Sequence, residues 1–162
     1  MLVITAACST PAEPTRAIEP ITITFESPDT VARAVIDALN GRDLARLEAL
    51  ALTEQEFRSH VWPELPASRP ERNLPFDYVW GQMKQRSDSS MNQIYARYAG
   101  RRLQFVQARF TGETTKYESF EVRRSSEIVA RDESGTDWVL QLYGSALVKD
   151  GRYKVFSFVV DE

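Results

Sequence analysis

Asp150-Gly151-Arg152-Tyr153-Lys154-Val155-Phe156-Ser157-Phe158-Val159-Val160 reads as a tight turn followed by a strand. Asp-Gly between strand-forming residues is a strong two-residue hairpin signal, because both central residues of that turn need positive φ. Working back from this stretch, residues 103–162 read as four long strands separated by turn signals. One such signal is Asp132 to Thr136, with Gly135 inside it. About 75 residues of helical periodicity come before the strands. Helices first and an antiparallel meander second describe an α+β domain, with N-terminal helices packed on a strongly curved antiparallel sheet.

The turns set a register. A loop of residues 133–135 places Ala130 opposite Trp138, Ile128 opposite Leu140, Arg124 opposite Gly144 and Val122 opposite Ala146. The Asp150-Gly151 turn places Lys149 opposite Arg152, Ala146 opposite Val155 and Gly144 opposite Ser157. One face then carries Phe120, Val122, Ile128, Trp138, Leu140, Leu142, Ala146, Val155 and Val159, and is apolar enough to meet the helices. Arg124, Gly144 and Ser157 form a notch in it, where glycine leaves room for the guanidinium. An arginine among apolar groups needs a partner, either an internal carboxylate or an anionic ligand. A one-residue bulge would send these side chains to the other face. That other face carries Val139, Tyr143, Leu147, Phe156, Phe158 and Val160. So many large apolar groups are unusual in water. A homodimer through Tyr143, Leu147, Phe156 and Phe158 is expected, or else a cover supplied by another segment of the chain.

The N-terminal half supplies the helices. Ile21-Thr22-Ile23-Thr24-Phe25 alternates like a short edge strand. Ser27-Pro28-Asp29 has the cap, the fixed φ and the acidic charge of a helix start, and Asn40-Gly41 stops that helix. Between them Val31, Val35 and Leu39 form one stripe. Asp43 caps a second helix, and Thr53-Glu54-Gln55-Glu56 is a capping-box pattern that opens a third. Pro63, Pro66 and Pro70 break the chain into a loop. From Pro75 or Phe76 a long helix carries Trp80, Met83, Ser87, Met91, Ile94, Tyr95 and Tyr98 at steps of three and four, with a kink expected over its polar residues 87–90.

Composition excludes several classes. Apolar content of 43% and charged content of 27% over 162 residues suit one ordinary globular domain. A net charge of -3 gives no support to nucleic-acid binding, which needs a dense basic surface. One histidine and one cysteine do not make a usual zinc site, so no metal is expected. No Gly-rich phosphate loop and no Gly-x-Ser-x-Gly motif is present, so no cofactor is expected either.

That one cysteine, Cys8, follows the apolar run Met1-Leu2-Val3-Ile4-Thr5-Ala6-Ala7 and precedes a Pro- and Thr-bearing stretch. The arrangement resembles the end of a bacterial lipoprotein signal peptide and its tether, with Thr5 where an aliphatic residue is usual. The resemblance implies lipidation at Cys8 and a place in the cell envelope, lipid-anchored, periplasmic or secreted, with membrane contact only through that anchor. The alternative is a disordered N-terminus with an incidental cysteine, and then a cytoplasmic protein. Residues 1–20 are read as signal remnant and tether, and residues 21–162 as the single domain.

Helices, then a long helix, then four antiparallel strands with an acidic-Gly turn before Tyr153-Lys154-Val155 resemble the nuclear transport factor 2-like (cystatin-like cone) superfamily over residues 28–161. That resemblance implies a cone-shaped sheet around the long helix, a pocket inside the cone and frequent dimerisation. It implies no activity, because the fold hosts enzymes, binders and scaffolds. The expected ligand-binding residues are Arg124, Ser157, Tyr95, Trp80 and Trp138; no catalytic residue is named. His60, at a helix end, reads as a capping or surface residue. The leading expectation is a non-catalytic binding protein for a small apolar, amphiphilic or anionic molecule or a protein partner. A cofactor-free hydrolase or isomerase is the first alternative. A structural dimeric module, its cone filled by Trp80, Met83, Tyr95 and Trp138, is the second.

Overall fold

The computed structural model describes residues 18–160; Cys8 and the lipidation expected there lie outside the described residues. The order of elements is α1 (Pro28–Asn40), α2 (Leu44–Ala49), α3 (Glu54–Glu56), α4 (Phe76–Tyr98), then β1 (Gln104–Phe110), β2 (Thr114–Lys116), β3 (Glu121–Arg124), β4 (Ser126–Arg131), β5 (Asp137–Leu140), β6 (Ser145–Lys149) and β7 (Arg152–Ser157). The architecture is α+β, with helices N-terminal to antiparallel strands.

The helix starts follow local chemistry. The Ser27 hydroxyl accepts from the Thr30 amide while the Thr30 hydroxyl accepts from the Ser27 amide, a reciprocal box at the head of α1. Its stripe Val31, Val35 and Leu39 is fully buried. Asn40 bridges from the end of α1 to the start of the sheet. Its side-chain amide donates to the Leu103 carbonyl at 2.8 Å and accepts from the Leu103 amide at 2.9 Å. A second capping box, Thr53 with Glu56, opens α3, which runs on as a π-helical turn over Phe57–Val61.

One sequence expectation for this half is corrected. Residues 21–25 do not form a strand: Ile23 sits at φ 48°, which breaks the alternation, and only Phe25 pairs, in an isolated bridge with Tyr153. The long helix α4 runs unbroken through residues 87–90. Ser87 lies inside its stripe because its hydroxyl accepts the Phe158 amide at 3.0 Å. The polar residue ties the helix to the residue that follows β7.

The four expected long strands are present, but three of them break. The breaks fall at residues 111–113, at Ser125 and at residues 141–144, so the strands pair as two ladders. One ladder is β1-β4-β5 and the other is β2-β3-β6-β7. Strands that pass from one ladder to the next through bulges make such corners. The first turn gives the expected pairs, Ala130 with Trp138 and Ile128 with Leu140. The second gives Lys149 with Arg152 and Ala146 with Val155, with Asp150 and Gly151 both at positive φ.

Between these turns the register is corrected by one residue. Ser125 takes φ 54°, and beyond it Val122 pairs with Leu147 and Arg124 with Ser145. A second shift next to Ser145 sets that residue opposite Ser157. Both faces of the β2-β3-β6-β7 ladder are therefore covered by the chain itself. Ala146 and Val155 join Val31, Val35 and Leu39 of α1 in one core. Val122 and Leu147 join Leu52, Phe57, Val61 and Phe120 in another, with Phe76, Trp80 and Phe156 packed against it.

That second core corrects the expected dimer face. Tyr143, Leu147 and Phe158 are buried within the chain, and Phe156 is half-buried between α4 and β7. Leu147 and Phe156 are covered by residues 52–65 with the first turns of α4, and Tyr143 and Phe158 belong to the core that includes α1, so a second copy of the sheet is not what shields them. The Tyr143 hydroxyl has no hydrogen-bond partner among the described residues, and burial raises its pKa well above the ordinary tyrosine value.

Candidate functional site

The turn that reverses the chain between residues 49 and 53 lies beside α4 and the end of β7. Together they enclose a cavity of about 340 Å³. Its wall is Leu52, Trp80, Met83, Met91, Phe156 and Phe158. The helical spacing of α4 puts Trp80, Met83, Ser87 and Met91 on one stripe, so they face this space together. Charged groups line its rim and are held by one another. The Lys84 ammonium lies 2.6 Å from Asp88 and 3.2 Å from Glu48, tying α4 to α2. Burial pushes Lys84 down, but its hydrogen bonds to Asp88 and Glu48 outweigh this and leave it above the ordinary lysine value.

A second cavity of about 330 Å³ shares Met83 and Phe156 with the first. It is lined on its far side by Arg86, Arg124, Gly144, Ser145 and Ser157. Arg86 stands one turn after Met83 on α4, and Arg124 is the last residue of β3 before the Ser125 bulge.

The five expected ligand-binding residues do not converge. Arg124 and Ser157 share the second cavity and Trp80 lines the first. The Tyr95 hydroxyl instead donates to the Arg42 carbonyl at 2.7 Å, holding α4 against the turn after α1. Trp138 is corrected from the interior to the surface: it is 52% exposed, and its indole N–H donates to Asp132 at 2.8 Å. Arg124 is corrected from a buried guanidinium to an exposed one, whose one hydrogen-bond contact among the described residues is Thr115 Oγ1 at 3.5 Å. Gly144 does not make room for Arg124. A Cβ there would stand 1.5 Å from the Val159 carbonyl oxygen, so the missing side chain is occupied by backbone.

Trp138 lines a larger groove of about 720 Å³ at the surface. Its charges are engaged locally. Glu133 pairs with Arg102, and Asp132 accepts from Ser134, Trp138 and Thr136, which hold its carboxyl down at about 2. The single histidine has its Nε2 2.7 Å from the Glu19 carbonyl. Among the described residues no three His, Cys, Asp or Glu side chains gather as a metal site.

One polar cluster was not visible in the sequence. Lys154 is buried at 1% exposure. Its ammonium donates to Glu56 Oε1 at 3.1 Å, lies 3.0 Å from Glu56 Oε2, and donates to the Thr22 carbonyl at 2.7 Å. Glu56 also accepts from the Thr22 amide, the Thr22 hydroxyl and the Thr53 amide. Burial pushes the Glu56 carboxyl up, but the amides of Thr53 and Thr22 and the Lys154 ammonium outweigh it and hold it below its ordinary value. Burial pushes Lys154 down, and Glu56 restores it only in part. The carboxylate, with donors from three residues, is the end of the pair that folding favours in its charged form. The pair fastens residues 19–24 to the sheet.

No family model, no curated protein and no solved structure matches this chain.

Proposed function

We propose that the chain is a non-catalytic binding protein that holds a small apolar or amphiphilic molecule in the cavity between α4 and β7. The observation that carries this reading is the large apolar part of the lining, Leu52, Trp80, Met83, Met91, Phe156 and Phe158, around about 340 Å³. Small-molecule sites are concave, mainly apolar and of this size. The titratable groups at the rim are ion-paired, Lys84 with Glu48 and Asp88, and Glu54 with Arg58, which favours holding a ligand over transforming it.

Burial of each methylene is worth about 0.8 kcal/mol, or roughly fourfold in affinity. Along octanol, decanol and dodecanol, Kd measured by calorimetry is therefore expected to fall about fourfold per methylene. An affinity independent of chain length would contradict the reading.

The nuclear transport factor 2-like fold is part of this proposal. It is supported by the N-terminal helices, the sharp breaks in three strands and the Asp150-Gly151 hairpin before Tyr153. An experimental structure that superposes on that fold over both ladders tests it, and a sheet that turns away from α4 would contradict it.

A lipid tether at Cys8 is the proposal for localisation. Its support is the apolar run before Cys8 and the Pro-bearing stretch after it. Among the described residues no helix is long and apolar enough to cross a membrane. Palmitate labelling in a bacterial host is expected to vanish in Cys8→Ser; labelling that survives the substitution would refute lipidation.

A further inference from the structure

We infer that the molecule held between α4 and β7 is an acidic amphiphile, whose oxyanion head group sits in the second cavity against Arg86, Arg124 and Ser145. This inference rests on the proposed apolar site and names the chemistry of its ligand. The two cavities meet at Met83 and Phe156, so one molecule lying across those side chains reaches both. Their linings differ in kind. The first sets its aromatic and aliphatic side chains beside Glu48, Glu54, Lys84 and Asp88, all of them ion-paired. The second has two guanidiniums and no carboxylate among its lining residues.

Of the fifteen arginines among the described residues, Arg58, Arg102, Arg109, Arg123, Arg131 and Arg152 are ion-paired with Asp or Glu and nine are not. Arg86 and Arg124 have no such partner among the described residues, and only the distant Thr115 hydroxyl contacts Arg124. Ser145 is 6% exposed, and its hydroxyl makes no hydrogen bond among the described residues although it lines the same cavity. That hydroxyl is free to donate to a molecule in the cavity it lines. A carboxylate or phosphate oxygen would satisfy it, and its charge would be met by the planar forks of the two arginines. The neighbouring Ser157 hydroxyl is already engaged by the Val159 amide at 3.1 Å, so it is not assigned to the head group.

The test compares dodecanoate, dodecyl phosphate and dodecanol by calorimetry on the full chain near neutral pH. Charge-assisted hydrogen bonds of this kind are expected to make at least one of the anions bind about tenfold or more tighter than dodecanol. Which anion binds tighter identifies the head group. In Arg86→Gln/Arg124→Gln, both exposed positions, the anions are expected to fall to the affinity of dodecanol, while dodecanol itself changes by less than about twofold. Equal affinity of all three probes for the unsubstituted chain would overturn the acidic head group and leave the apolar site standing. An anion preference that survives the double substitution would overturn the assignment to these arginines. If none of the three binds, the apolar site and this inference fall together.

Discussion

Gly144→Ala is expected to destabilise the domain by about 3–5 kcal/mol, the scale of losing a buried aromatic side chain. A Cβ at this position stands 1.5 Å from the Val159 oxygen and 2.5 Å from its carbonyl carbon. Both atoms are backbone, so no rotamer change relieves the contact. The end of β7 must move away. It takes with it the bond from the Gly144 amide to the Ser157 carbonyl, the bond from the Phe158 amide to Ser87, and the burial of Phe158 at 1% exposure. Because Phe158 also walls the apolar cavity, ligand binding is expected to weaken with stability. Urea unfolding measures the loss. Gly81→Ala is the control: it lies in α4 with nothing within 4 Å of the new Cβ, and better helix propensity is expected to stabilise it by up to about 1 kcal/mol. A loss below about 1 kcal/mol for Gly144→Ala would mean that β7 does not pass over residue 144.

Glu56→Gln is expected to cost about 3–5 kcal/mol at neutral pH, because it leaves the Lys154 ammonium buried without a counter-charge. Lys154 keeps the Thr22 carbonyl but loses the carboxylate that neutralised it. Glu56→Gln/Lys154→Met is expected to recover most of the loss, since well-packed apolar replacements of a buried pair are often close to neutral. The pH dependence has a definite sign. Glu56 is held below its ordinary value of 4.5, so the folded state binds its proton less readily than the unfolded state. Its stabilisation is complete above that value and is lost as pH falls through the lower, folded value. The gap between the unsubstituted chain and Glu56→Gln is therefore expected to narrow on acidification below pH 4.5 in urea titrations. A gap constant from neutral pH to pH 3 would exclude the ion pair as its cause.

Much of this fold is legible in the sequence where the signal is local. The Ser27 and Thr53 caps, the α1 stripe and the Asp150-Gly151 turn each depend on residues within a few positions of one another, and each directs the chain as read. The failures are non-local. Ser125 gives no compositional warning of a left-handed φ, yet this one residue shifts β3 against β6 and carries Arg124 out of the core. Tyr143, Leu147 and Phe158 are apolar in the way a dimer face is apolar. Only the tertiary paths of residues 52–65, over Leu147, and of α1, in one core with Tyr143 and Phe158, show that the chain covers its own sheet. Lys154 between Tyr153 and Val155 reads as the polar side of an alternating strand. Its burial depends on Glu56, 98 residues away.

The candidate site was legible in part. Trp80 and Met83 belong to the α4 stripe, and Arg124 and Ser157 stand together, although through a bulge and not in the expected register. Arg86 carries a weaker signal, its spacing of three residues from Met83. Ser145 carries none, because a serine in an apolar strand is as often core as ligand contact.

The most direct test of a cavity between α4 and β7 is the NMR spectrum of the chain labelled at its methionine methyl groups and titrated with dodecanol. Met83 and Met91 both line that cavity. Saturable shifts of both methyl resonances, with the Trp138 indole signal unmoved, are the expected result. Binding that leaves both methyls unperturbed, or that moves Trp138 alone, would place the ligand elsewhere and contradict the assignment of this cavity as the binding site.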